Sequence, residues 1–253
     1  MNIGRRLGLC LVVLLVLPGL AFAQQRATTN IQSRVLETFD NPDESEWALF
    51  TSRFTAAGFP RLGFIRTFPE ALYRAEPEGR ELRALGIQGA FRRQGYNYIE
   101  IVPVTTDANG EQVPRAIPIP GRVSSIDLWV WGSNFDYFMD IHVRDFRGMV
   151  HVLNVGNLNY RGWANLRVPI PTFIPQTSQY VAQLGVGGEF ASDLRGLEIV
   201  KMVLWTRPTE QVNGFFVYID EIKVETDIYR DPFDGEDLRT ADSVQQLWEE
   251  GGR

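Results

Sequence analysis

The sequence predicts an all-β protein, an antiparallel β-sandwich of the lectin-like jelly-roll type with long Pro/Gly-rich loops. Three observations carry this. Short runs of alternating apolar and polar residues recur along the chain, and a helical period is almost absent. Gly, Pro, Asn and Asp cluster between those runs, where tight turns need them. The one cysteine, Cys10, lies in an apolar leader, so the rest of the chain must stand on its core without disulfides. About 230 residues can supply such a core in one large β domain.

Residues 1–23 read as a cleaved signal peptide. Arg5 and Arg6 give a charged start, residues 7–17 an apolar run, and Ala21-Phe22-Ala23 the small residues a signal peptidase reads, so the mature chain is expected to begin at Gln24. Cys10 is a poor lipid-attachment site, because Leu9 is large and most of the apolar run follows it. Residues 24–34 are polar and expected to be flexible. The sandwich is expected over 35–226, and an acidic C-terminal tail over 227–253.

Within the sandwich, 35–39 alternates as a first strand, 47–54 reads as a strand or short helix, and 62–68 as a strand. Residues 70–73 are the one plausible helical segment before a charged loop. Residues 86–91 and 96–102 form a strand pair around Arg92-Arg93-Gln94-Gly95, and 103–121 is a Pro/Gly-rich loop turning at Asn109-Gly110. The most informative stretch is 123–168. Its first strand sets Ile126, Leu128 and Val130 on one side and Asp127, Trp129 and Trp131 on the other. A water-facing side would be polar, so the tryptophan side is either covered or a contact surface. Residues 137–144 and 150–155 follow as strands around the turn Asp145-Phe146-Arg147-Gly148, and 163–168 as the next strand after a loop. Residues 169–196 are irregular. Residues 197–206 are apolar on both sides, 215–224 form the last strand with an acidic pair interrupting its apolar run, and 243–250 are a candidate short helix.

Charge narrows the function classes. Without Arg5 and Arg6 the net charge moves from −6 to −8, which argues against nucleic acid as a partner and makes no basic face for anionic lipid obvious. No second apolar run reaches the roughly 18 residues a membrane span needs, so no membrane association is expected after signal cleavage.

Several segments resemble one family in order along the chain. They are residues 88–98 (Gln-Gly-Ala-Phe-Arg-Arg-Gln-Gly-Tyr-Asn-Tyr), Pro118-Ile119-Pro120-Gly121-Arg122, Leu128-Trp129-Val130-Trp131-Gly132-Ser133-Asn134-Phe135, Arg144-Asp145-Phe146-Arg147-Gly148, Leu158-Asn159-Tyr160-Arg161-Gly162-Trp163 and Leu204-Trp205-Thr206-Arg207-Pro208-Thr209-Glu210. The resemblance is to the FlaA proteins, the outer-layer (sheath) proteins of spirochaete periplasmic flagellar filaments. It implies a non-enzymatic sheath component in the periplasm, with the flagellin core filament and other sheath subunits as partners. Residues 169–196 and the tail after Asp227 carry little of it.

The chemistry of the residues agrees with a non-enzyme. No Gly-x-Ser-x-Gly elbow and no Glu-x-Asp-x-Glu strand signature occur. If Gly148 is a left-handed bulge residue, Asp145 pairs with Met149 and Val143 with His151, so His142 and His151 face opposite sides. A plain two-residue turn would set them opposite each other. No cofactor is implied, though a structural calcium has candidates in Glu37, Asp40 and Asp220, which occupy first- and last-strand positions comparable with those that bind calcium in lectin-like jelly rolls. Glu37 and Asp220 paired with arginines or water is the plainer alternative. Trp129 and Trp131 are core, a sugar-stacking surface or a protein contact. The best contact loop is 157–163, which brings Tyr160, Arg161 and Trp163 together. The alternative is a loop folded back on its own sandwich. The competing function class is an exported carbohydrate-binding β-sandwich module.

Overall fold

Alternation along the long strands sorts the side chains into two sets, and the sheets form by burying one set between them. The computed structural model describes residues 29–176, 183–184, 190–191, 196–228, 234, 238 and 241–251. The expected signal peptide therefore lies outside the described residues, as does much of 169–196. In chain order the elements are β1 (Ile31–Glu37), β2 (Glu46–Thr51), β3 (Arg61–Ile65), α1 (Glu70–Tyr73), β4 (Ala84–Gly89), β5 (Tyr98–Thr106), β6 (Gln112–Pro114), β7 (Ile117–Pro118) and β8 (Arg122–Ser133). They continue with β9 (Phe138–Arg144), β10 (Val150–Asn157), β11 (Arg161–Pro169), β12 (Gln183–Leu184), β13 (Phe190–Ala191), β14 (Glu198–Trp205), β15 (Phe215–Asp227) and α2 (Ala241–Gly251).

One sheet runs β11-β8-β15-β4-β3, with β1 also on β15; the other runs β10-β9-β14-β5-β2, with β6 on β5 and β7 on β14. All pairs are antiparallel, giving the predicted sandwich. Ile126, Leu128 and Val130 of β8 and Val217, Ile219 and Ile222 of β15 face Met139, Ile141, Ile199, Met202, Leu204, Ile99 and Ile101 in one core. Each such side chain contributes about 1.5–3 kcal/mol on burial. No helix among the described residues is long and apolar enough to cross a membrane.

Bulges explain why one strand reads as apolar on both sides and another as an apolar run interrupted by an acidic pair. In β14 the register shifts between Ile199 and Lys201. Leu197 and Ile199 face inward before it, Met202 and Leu204 after it, so both sequence parities are apolar. In β15 the shift falls between Asp220 and Ile222, so the acidic pair is the bulge and the inward set changes from Val217 and Ile219 to Ile222 and Val224.

Elsewhere the boundaries differ from expectation. β1 starts at Ile31, inside the segment expected to be flexible, because residues 31–35 pair with β15 and Asn30 N donates to Asp227 Oδ1 at 2.7 Å. Residues 46–51 are strand, not helix, held along β5. The expected loop 103–121 contains the end of β5 and all of β6 and β7: β5 and β6 form a hairpin in which Asp107 Oδ1 accepts from the N–H groups of Asn109 and Glu111, with Gly110 at φ +83°. Its prolines read as breaks, but Pro114 and Pro118 end strands, and the Pro103 carbonyl still accepts from Arg115 N.

Candidate functional site

The outward face of the first sheet carries the tryptophans. Registration sets Trp163, Trp131, Tyr218, Gly86 and Gly63 in one row across β11, β8, β15, β4 and β3. Trp131 meets Tyr218 edge-on, with ring centroids 5.5 Å apart at 79°, and Trp163 lies 6.5 Å from the same ring. Gly86 keeps the row low, because an added Cβ would stand 2.7 Å from Ile65 and 3.3 Å from Tyr218. All three aromatic residues are half-buried, and beside them Phe216 and Ile65 are exposed. Trp129 sits in the next row, between Asn165 and Asp220, with its indole N–H buried and unbonded. The tryptophan side of β8 is thus neither core nor open to water; it is a part-covered aromatic platform. The second sheet has a counterpart: Phe138 stacks on Trp205 at 6.0 Å, Tyr98 meets Trp205 tilted by 57° at 5.3 Å, and Arg207 lies 4.9 Å over Phe138.

The 157–163 loop divides between the two readings. Tyr160 folds back: its hydroxyl donates to the Val130 carbonyl at 3.0 Å, its own carbonyl accepts from Asn134 N, and burial pushes its pKa up to about 12. Gly132 lets the loop approach, since a Cβ there would stand 2.7 Å from Tyr160 O and 2.8 Å from Leu158 O. Arg161 points outward, exposed, and Trp163 joins the platform.

The three calcium candidates are distributed over separate bonds. Glu37 Oε1 accepts from Thr38 N and Phe39 N at 3.0 and 2.9 Å, and Oε2 accepts from the Ser45 hydroxyl. That clamp holds Phe39 at φ +58° and 0 % exposure. Asp40 accepts from Arg83 N at 2.9 Å and pairs with the Arg80 guanidinium. Asp220 lies where β15 changes partner, after β4 ends at Ile219 and before β1 begins at Ile222. It is 1 % exposed; Oδ1 accepts from Glu221 N at 2.8 Å, and Oδ2 has no partner. Burial pushes its pKa up to about 7, and Asp40 and Glu221 add to this while Arg80 opposes it. Tyr73 shares the neighbourhood, its pKa raised by burial and by Asp220, Glu221 and Asp40. Among the described residues no three His, Cys, Asp or Glu are grouped to hold a metal ion. Sequence reading missed Tyr73, Arg80 and Glu221 in this group; the acidic pair after outward Tyr218 was the available signal.

The β9–β10 turn has the bulge geometry. Gly148 stands at φ +85°, Asp145 N bonds Met149 O, and Val143 pairs with His151. His142 and His151 therefore face opposite sides. His151 Nε2 lies 2.9 Å from Asp145 Oδ2, and Asp145 Oδ1 accepts from Arg147 N and Met149 N. Burial works against the Asp145 charge, but these bonds hold its pKa below the ordinary carboxylate value.

A model of the FlaA flagellar filament outer layer proteins matches residues 73–231. The chain belongs to the flagellar filament outer layer protein family. The matched span begins at the last residue of α1 and includes β4 to β15, so the family pattern covers the aromatic platform, the bulge of β15 and the 157–163 loop. A relative, the putative flagellar filament outer layer-like protein of Brachyspira hyodysenteriae, is 26% identical over 154 residues, which is 60% of this chain and 62% of the relative. The chain thus aligns with a little over three-fifths of that protein's length. Among solved structures, carbohydrate-binding modules of the β-sandwich superfamily align at 10% identity with a TM-score of 0.43, covering 74% of this chain and 60% of the other. The family 11 carbohydrate-binding module of the Clostridium thermocellum cellulase Lic26A-Cel5E aligns at 10% identity and TM-score 0.42, covering 77% and 95%.

Proposed function

We propose that this protein is a structural subunit of the outer layer, or sheath, of the periplasmic flagellar filament. It packs on a flagellin core and against neighbouring sheath subunits, contributing to filament shape, stiffness and motility. The observation that carries this is the family match over residues 73–231, which spans both sheets of the sandwich. The geometry supports it: aromatic platforms on the outward faces of both sheets and an exposed Arg161 beside one of them are contact features, and aromatic and arginine side chains dominate interface energetics. The role is non-enzymatic. Export through the leader of residues 1–23, with cleavage before Gln24, delivers the chain to the periplasm.

The test is co-purification. Periplasmic filaments isolated from cells that express the protein should carry it, and the mature chain should sediment with bare flagellin filaments. Filaments lacking the chain in expressing cells would overturn the sheath reading. The Trp163–Trp131–Tyr218 platform gives a carbohydrate-binding module a specific basis as second reading, since sugar rings stack on such surfaces. Binding to isolated glycans without flagellin, lost in Trp131→Ala, would favour it.

A further inference from the structure

One end of the sandwich is basic and aromatic. Ala56 N donates to Ala90 O at 2.9 Å and Arg92 N to Phe54 O at 2.8 Å, which sets Arg53 and Phe54 beside Arg92 and Arg93. The Arg93 guanidinium lies 4.9 Å over the Phe54 ring, and Arg61 is registered on Gln88 of the neighbouring strand. Arg53, Arg61, Arg92 and Arg93 are all exposed, and Tyr96 is 64 % exposed in the same loop cluster. Among the described residues none of the four arginines is ion-paired, whereas Arg66, Arg80, Arg83, Arg144, Arg167 and Arg207 all are. Four like charges, none in an ion pair among the described residues, are mutually repulsive and complementary to an anionic partner.

The opposite end supplies an acidic segment. Residues 227–253 hold eight acidic side chains against three basic ones. Within them α2 sets Val244, Leu247 and Trp248 on one stripe, with Glu249 and Glu250 on the remaining arc. Leu247 is 40 % exposed and Trp248 79 %. A helix of this length draws most of its stability from a packed apolar face, and here Leu247 and Trp248 on that face are exposed while Val244 is half-buried.

The two features stand apart along β15. Its first residue, Phe215, is registered on Gly89 next to the basic end, and its last is Asp227. Thirteen strand residues span about 43 Å. Residues 228–240 would return to the chain's own basic end only near full extension, about 45 Å. Contact with a second copy has no such constraint.

We infer that α2 of one copy docks on the Arg53, Phe54, Arg61, Arg92, Arg93 and Tyr96 surface of the next. Leu247 and Trp248 pack on Phe54 and Tyr96, and Glu249 and Glu250 meet the arginines. Because the contact joins two different surfaces, it is heterologous, and it propagates head-to-tail wherever the rotation between copies does not close a ring. The inference deepens the sheath reading and rests on it for its purpose, as the longitudinal contact between sheath subunits.

Sedimentation velocity of the mature full chain, without flagellin, tests it. The expected result is reversible, concentration-dependent self-association that weakens as salt rises. Trp248→Ala should weaken it by about tenfold or more. The pair Arg92→Glu and Arg93→Glu should abolish it, and so should the pair Glu249→Arg and Glu250→Arg. Mixing those two folded variants should restore it, because each tail then meets a surface of opposite charge. Circular dichroism and thermal melts confirm that the variants fold. A monomer at all concentrations, association indifferent to these substitutions, or no restoration on mixing would each overturn the inference. A chain that binds filaments but stays monomeric fails this inference and keeps the sheath role; one that self-associates but never binds filaments does the reverse.

Discussion

Asp220→Asn should stabilise the protein strongly at pH 8 and much less at pH 5. Burial, with Asp40 and Glu221 nearby, pushes the Asp220 carboxyl from 3.8 to about 7 in the folded chain. Between those values the folded state holds a proton that the unfolded state has released. The stability it contributes is fully present below about pH 4 and is lost as pH rises through about 7. From pH 5 to pH 8 the loss is roughly 2–3 kcal/mol, at 1.36 kcal/mol per unit. Asparagine keeps an oxygen for Glu221 N–H, now at 2.8 Å from Asp220 Oδ1, and puts an uncharged amide where Oδ2 stands bare. Urea unfolding of both proteins at pH 5 and pH 8 gives a double difference in which all other titrations cancel. The variant should gain roughly 2–3 kcal/mol on the wild type across that interval. A double difference below about 0.5 kcal/mol, or a variant less stable than wild type at pH 8, would refute it.

Three other outcomes are expected. Gly89→Ala should cost about 1–3 kcal/mol in urea unfolding, because the new methyl would stand 2.5 Å from Phe215 Cε2, and Phe215 is wedged against Tyr137 and Phe91; a loss under about 0.5 kcal/mol would show that the ring can move aside. Tyr160→Phe should cost about 1 kcal/mol by stranding the Val130 carbonyl, while Arg161→Ala should leave stability within about 0.5 kcal/mol and reduce filament decoration; the reverse pattern would assign the loop wholly to the fold. Dialysis against EDTA should leave the melting temperature unchanged, since Glu37 and Asp40 already spend their oxygens on Thr38, Phe39, Ser45, Arg80 and Arg83, whereas a rise of several degrees in millimolar calcium would assign a metal to Glu37, Asp40 and Asp220.

Strands with a steady period of two were legible. Ile126, Leu128 and Val130 are all 0 % exposed, on the side the alternation assigned to them. The Gly148 bulge was also legible, because glycine at the fourth turn position has one easy conformation. What escaped were features without local cause. Bulges in β14 and β15 change parity in mid-strand, and only the neighbouring strand fixes where. β1 begins early because Ile31 to Val35 find partners on β15, nearly two hundred residues away. The carboxylate group at Asp220 was half visible: Asp40 and Asp220 were named as neighbours, but Tyr73 and Arg80 come from an excursion between β3 and β4 that no periodicity could place.

The two outward faces bear on how such a subunit is used. An antiparallel sandwich with one core can leave its outer faces polar. Here both carry aromatic rows, Trp163–Trp131–Tyr218 on one sheet and Phe138–Trp205–Tyr98 on the other, each softened by partial burial. A sheath subunit needs one face for the core and others for its lateral neighbours, and the two rows lie back to back across the sandwich. The end-to-end contact inferred above would set a direction along the filament. Contacts divided this way predict a separable phenotype. Hydrogen exchange on decorated filaments should protect β8, β9 or β14 according to which face meets the core, whereas loss of α2 should disturb spacing along the filament and leave that protection in place. Protection confined to the loops, with both sheets exchanging as in the free protein, would place the core contact elsewhere and return the aromatic rows to a purely structural role.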